Sequence, residues 1–465
     1  MNDQVHNFNT KNLNKMETNN SEEIKNSIYR FNEMLKTNLV YFFDVKEFQN
    51  ISEYYLSIGE IQLSKKALSM GLSQHPNNLD LLLIKIEHLI LDKRFTSAKK
   101  TLDNLDLISP YNEEVFIQKA SVESKLGNHL ESINLLLKLL DFTEEPSDVW
   151  NLIGMEYLLL EDYYNAEYFF KNCIIENPED YPSLYNLLHC YEQMNLNEKA
   201  INILKKIIKY NPYSEIAWHQ LGCIYSKINE IEEAISCFDY AIISDNKLIS
   251  AYIEKAKLLE LNSNFFKAIE NYKSVLKLSD PSAFIYTKIG QCYINTCDHK
   301  MGLKYFLKAI HVEPSYEKSW IKLIDYFINL KNFKKANYYL NKSLRINSDC
   351  IDLWEKSVEI NKNLKLKKNV TLSYETMIDL GDSRWSTLIS CIDEWIVQKN
   401  WKKAIEIGLK AKTHFPNKSE IFYKLAGCYL KLGQNLKSNN SIKNGKKIGL
   451  PNFKTIKMFP ELKTK

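Results

Sequence analysis

Residues 147–180 read SDVWNLIGMEYLLLEDYYNAEYFFKNCIIENPED, and the 34 residues that follow read YPSLYNLLHCYEQMNLNEKAINILKKIIKYNPYS. The two stretches share residue classes at a recurring set of positions. Trp150, Ile153, Tyr157, Ala166, Phe170 and Pro178 in the first, which also carries Gly154 and Cys173, answer to Leu184, Leu187, Tyr191, Ala200, Leu204 and Pro212 in the second. A further shift of 34 brings Trp218, Leu221-Gly222, Tyr225, Ala234, Phe238 and Ala241 into place, and the window from Ala283 repeats Tyr286, Ile289-Gly290, Tyr293, Phe306, Ala309 and Pro314. A fixed period of this length is the mark of a repeat architecture and overrides the domain count that 465 residues would otherwise suggest.

Followed in both directions, the phase runs unbroken from Val45 to Asn452 as 12 windows of 34. They start at Val45, Leu79, Glu113, Ser147, Tyr181, Glu215, Ile249, Ala283, Glu317, Ile351, Trp385 and Ser419. Proline checks the register, because a helix interior loses about 3 kcal/mol to it. Ten of the 11 prolines fall in the last three or first two positions of a window; Pro460 lies beyond the last one. Gly59, Gly127 and Gly433 share position 15 with Asn195 and Asn229, where a first helix would end in a left-handed cap. Gly154, Gly222 and Gly290 share position 8, which suits a close approach of two helices, and Trp150, Trp218, Trp320 and Trp354 share position 4. Apolar residues recur three and four apart in both halves, so each window reads as two amphipathic helices joined by short, antiparallel turns. The tenth window is the weakest, with Asn361 and Val370 at an aromatic and a small position, and the twelfth has a polar second half containing Gly445.

These positions, Trp/Leu, Leu-Gly, Tyr, Ala, Phe/Tyr, Ala and Pro, resemble the tetratricopeptide repeat over nearly nine-tenths of the chain. The resemblance implies an all-α, right-handed superhelical solenoid of about 12 stacked antiparallel helix pairs. It also implies a concave groove lined by the first helix of each pair, used to bind peptides or partner helices. The segment YFFDVKEF at 41–48 is similar to cytosolic bacterial members of the family. Residues 1–20, polar and Asn-rich, are expected to be disordered. Residues 21–44 are expected to hold a capping helix and a lead-in segment, with Ser21 as N-cap and Ile24, Ile28, Phe31 and Leu35 on one face. Residues 45–452 are expected to form the repeats and 453–465 a short basic tail, either a partial cap or disordered.

Composition narrows the function. Lys and Arg number 61 against 57 Asp and Glu, a net charge of +4 that argues against bulk binding to nucleic acid or membrane. The 9 cysteines form no CxxC pair and no zinc-finger spacing, as expected of free thiols in a reducing compartment. No apolar h-region opens the chain and no apolar run reaches the ~18 residues of a membrane span, so a cytoplasmic location is expected. No Walker loop, GxGxxG, HExxH or GxSxG occurs; no enzyme activity, cofactor or metal is expected.

The family resemblance places positions 2, 5, 6 and 9 of each first helix in the groove. The clamp that chaperone-tail binders of the family use needs a Lys at position 5, which no window has, so chaperone tails are not the expected ligand. Part of a basic groove remains. Lys257 at position 9 of the seventh window, Lys288 at position 6 of the eighth, and Lys318 and Lys322 at positions 2 and 6 of the ninth could attract an acidic peptide, beside Glu254, Asp325, Glu355 and Glu359. A second strip is polar and aromatic: Asn151, Tyr185, Asn186, His189, His219 and Gln220. Amides can pair with both the donors and acceptors of an extended peptide, and Tyr185 adds contact area. A third feature, Leu83, Ile84, Ile90, Leu152, Met155, Leu158 and Leu159, reads either as interior packing or as an apolar wall for a partner helix. His189, His219 and Cys223 form the one conceivable metal trio, which chance readily produces. The expected function is a protein-interaction scaffold. The alternatives are an RNA-reading helical repeat, which lacks its code because position 5 runs through Gln, Leu, Ile, Asn, Tyr, His and Thr, and a self-assembling protein.

Overall fold

The phase of the sequence reappears as helix boundaries. The computed structural model describes residues 21–37 and 40–462. The expected disorder of residues 1–20 lies outside them. Eleven of the 12 repeats start their first helix, here A, at the window start, and the fourth starts one residue earlier, at Pro146. Proline fits the first turn of a helix, whose amide protons have no partner within the helix. The second helix, B, follows after a short turn in every repeat. Among the described residues there is no strand, and no helix is long and apolar enough to cross a membrane.

The turn from A to B has one geometry throughout. Position 15 has a positive φ in all repeats: at Gly59, Gly127 and Gly433, at Asn195 and Asn229, and also at Lys93, Glu161, Ser263, Cys297, Lys331, Lys365 and Lys399. The next amide then reaches back to the carbonyl of position 11, as in Glu60 N to Tyr55 O at 2.8 Å and Gln434 N to Tyr429 O at 2.9 Å. This is the Schellman closure, which satisfies carbonyls left open at the helix end.

Position 8 carries the close approach between A and B. A Cβ at Gly154 would lie 2.8 Å from the ring of Phe170, at Gly222 2.9 Å from Phe238, and at Gly290 2.7 Å from Phe306. Each glycine therefore seats a phenyl ring 16 residues onward. Position 20 is closed as well: Ala166, Ala200 and Ala234 are buried. In the first repeat the same two positions are Ser52 and Ser64, whose hydroxyls meet at 2.7 Å.

The chain divides after Pro212 into two units. The first holds the helix Ser21–Thr37 and five helix pairs. Phe31 and Met34 of that leading helix pack with Phe43, Phe48 and Tyr55. The second unit holds seven pairs, a short helix Phe453–Met458 and a 3-10 turn at Pro460–Leu462. Its tenth-repeat helices, Ile351–Asn363 and Lys367–Asp379, form despite their weak signature. A buried polar network replaces the aromatic: Asn361 donates to Ser357 Oγ at 3.0 Å, and Ser357 and Ser373 share a 2.8 Å hydrogen bond. A buried network is acceptable when its members are paired. The nine cysteines are free thiols.

Candidate binding face

Positions 2, 5, 6 and 9 of the A helices lie on one helical side, since residues three and four apart are neighbours. In the first unit, part of the expected polar strip is used up by packing. Asn151 Nδ2 donates to Ser183 Oγ on the next A helix at 2.6 Å. The same link recurs in the second unit, where Thr287 and Ser319 hydroxyls meet at 2.7 Å. Position 5 to position 3 of the following repeat is thus a structural tie between consecutive A helices. Asn186 Nδ2 is turned to Met155 Sδ at 3.3 Å. Tyr185 and His189 are exposed, the latter edge-on to Tyr163.

In the second unit His219 is half-buried. Its ring stands edge-on to Phe238 at 5.5 Å, and burial holds its pKa below the ordinary value against the pull of Glu254. Its Nδ1 is 3.9 Å from Cys223 Sγ, and its Nε2 is buried without a partner. The Cys223 thiol is pushed up to about 11 by burial, with Glu254 adding to the shift, so it stays protonated. Gln220 is half-buried. The basic set separates into two kinds. Lys257 pairs with Glu254 at 2.7 Å and Lys288 with Glu260 at 2.9 Å. Lys318 and Lys322 are exposed, four residues apart on Glu317–Asn329. The apolar wall is mostly packing: Leu83 and Ile84 are buried, and Leu152 packs with Trp150 and Ile153, while Leu159 is exposed.

Two groups went unnoticed in the sequence. Glu53, Glu87 and Glu114 occupy positions 9, 9 and 2 of the first three A helices. Gln118 Nε2 lies 3.2 Å from Glu114 and 3.5 Å from Glu87. Burial, then repulsion from Glu114 and Glu53, raises the Glu87 carboxyl to about 7. Reading position 9 for acids as well as for bases would have found this group. The other is Lys424, at position 6 of the last repeat, whose side chain is only 1% exposed and pairs with Asp393 and with Glu420 at 2.8 Å.

Family comparison agrees with this architecture at its most regular part. The family model described as tetratricopeptide repeat matches residues 157–222, and a second model of the same description matches 216–242. The chain carries tetratricopeptide repeats at residues 157–242. The tetratricopeptide array is similar to anaphase-promoting complex subunit 3 of Schizosaccharomyces pombe, 22% identical over 216 residues that cover 46% of this chain and 32% of that protein. It is also similar to TPR repeat-containing protein MJ1428 of Methanocaldococcus jannaschii, 24% identical over 334 residues, 58% of this chain and 59% of that protein. The chain therefore spans a third to somewhat over half of the length of these relatives. Among solved structures, MamA is 25% identical and covers 38% of this chain and 96% of its own, with a TM-score of 0.33.

Proposed function

We propose that this tetratricopeptide repeat protein is a protein-interaction scaffold that holds a peptide or partner helix on the outward positions of its A helices, with residues 45–452 as the binding array. Binding, not catalysis, is the proposed activity. In the second unit the ligand is an acidic segment taken up by Lys318 and Lys322.

The observation that carries this reading is the contrast within the lysine set. Lys257 and Lys288 already have carboxylate partners in the chain, whereas Lys318 and Lys322 present two exposed ammoniums one helical turn apart. Two like charges so placed repel each other and gain from a shared carboxylate ligand. Exposed charges are screened over about 8–10 Å at physiological salt, so such binding weakens as salt rises.

A fluorescent octaglutamate peptide, titrated at low and at physiological salt, tests it. Lys318→Ala/Lys322→Ala is expected to weaken binding and flatten the salt dependence, with helicity unchanged because exposed substitutions stay within about 0.5 kcal/mol of neutral. Asn186→Ala/His219→Ala is expected to leave binding of this peptide as it is. Equal low-salt affinity of wild type and the lysine variant overturns the reading.

A further inference from the structure

The last A helix, Ser419–Lys431, differs from the others in having no open side. Every residue from Ile421 to Cys428 is buried. The cover is the chain's own C-terminal segment. Asn452 caps its short helix by accepting from Thr455 N at 2.8 Å, and the segment packs chiefly against Ser419–Lys431. Its contacts fall on the positions where the other A helices face outward. Lys454 Nζ is 2.5 Å from Asp393 Oδ2, at position 9 of the eleventh repeat. The Phe459 ring lies on Gly427, at position 9 of the twelfth, where a Cβ would come within 2.3 Å of it. Trp401 flanks that ring with centroids 6.0 Å apart, and Leu462 joins the same cluster. Glu461 pairs with Lys431.

Charge explains what this surface takes. Without the segment, Lys424 faces two carboxylates, Asp393 and Glu420, and the group carries a net charge of −1. Lys454 supplies the missing cation. A buried charge needs a partner, so the site selects a basic residue. Gly427 and Trp401 select an aromatic ring five residues later. The hold is nonetheless light: the helix has six residues, Phe453 is exposed, and Thr455 Oγ1 is buried without a hydrogen-bond partner. An unmet hydroxyl is a cost that a better-matched ligand avoids.

We propose that the A-helix face of repeats 11 and 12 is a binding site for a protein segment with a basic residue, an aromatic five positions on and an aliphatic three beyond that, and that residues 453–462 are its resident occupant, displaced by a partner of the same chemistry. The site is independent of the Lys318–Lys322 stretch, so the two readings stand or fall separately.

The probe is a fluorescein-labelled peptide of residues 452–465. Full-length chain carrying Lys454→Glu and Phe459→Ala has an opened face. The peptide is expected to bind it at least about tenfold more tightly than it binds wild type, the penalty for a site that is nine-tenths occupied. Adding Gly427→Ala to the opened chain is expected to abolish binding. Alanine is the better helix former, so circular dichroism is expected to show the helices intact. A peptide with its phenylalanine replaced by alanine is expected not to bind. In wild type, hydrogen exchange at 453–462 is expected to be slowed about tenfold, as for a segment seated nine-tenths of the time, and Gly427→Ala alone is expected to remove that protection. The proposal is overturned if the opened chain binds no better than wild type or if Gly427→Ala leaves binding unchanged. A wild-type dimer that forms with concentration and is lost in Gly427→Ala would also overturn it, by placing the segment on a second copy.

Discussion

A phenyl ring at position 200 has no space to enter. Ala200 is 3% exposed, and its counterparts Ala166 and Ala234 are fully buried. Ala200→Phe is expected to overpack the helix pair and cost about 1–3 kcal/mol, read as a lower urea midpoint; an unchanged midpoint would contradict the packing. Glu87 makes the opposite case, a residue the fold holds at a cost. Its carboxyl titrates near 7 rather than its ordinary 4.5, mainly through burial, so the folded chain binds the proton more tightly than the unfolded chain does. Stability therefore declines as pH rises from about 4.5 through 7. Glu87→Gln is expected to stabilise the chain at about pH 8, by on the order of 1–3 kcal/mol, and to lose that advantage near pH 4. Equal urea-midpoint gains at both pH values would place the effect elsewhere than in the charge.

At the scale of the helix pair, the turn from A to B sets the reading frame. Lys331 and Lys365 adopt φ of 55° and 58°, a left-handed conformation that disfavours any residue with a Cβ. Lys365→Gly is expected to stabilise the chain by about 0.5–1 kcal/mol, read as a higher urea midpoint. Gly59→Ala, where a Cβ would meet nothing within 4 Å, is expected to lose about as much through φ alone. If both changes are neutral, the cap does not limit the turn. These helix pairs were legible in the sequence because three signals coincide: the period, the prolines at repeat borders, and the glycine or asparagine at position 15. The seven other position-15 residues could not be recognised singly, since nothing in a lysine announces a positive φ; only the phase does. The binding face was less legible because neighbours settle it. Asn151 is engaged by Ser183, and Lys288 by Glu260, partners 32 and 28 residues away, and helical phase alone does not show which side chains are already satisfied. Composition shows the tail only as a short basic segment, a partial cap or a disordered end, because its seat on Gly427 and Asp393 depends on partners that lie outside its own sequence.

Across each unit, stability is approximately a sum of nearest-neighbour terms, so damage stays local. In the first unit Phe31, fully buried, stands 6.4 Å from the Phe43 ring and 6.0 Å from that of Tyr55. Phe31→Ala is expected to cost its surroundings about 3–5 kcal/mol. Hydrogen exchange is then expected to rise across residues 45–74 and to fade by the third repeat. Uniform acceleration over the unit would mean that it unfolds as a single block. The same modularity follows from the turn that all 12 repeats share. Its closure is made by backbone atoms, at glycine, asparagine, lysine, glutamate, serine and cysteine alike. A stretch of 34 codons duplicated in tandem would thus arrive with its own punctuation, and one deleted would take its punctuation with it. An array joined in this way can change length by whole copies and diverge in side chains afterwards, with each new copy able to acquire a ligand of its own.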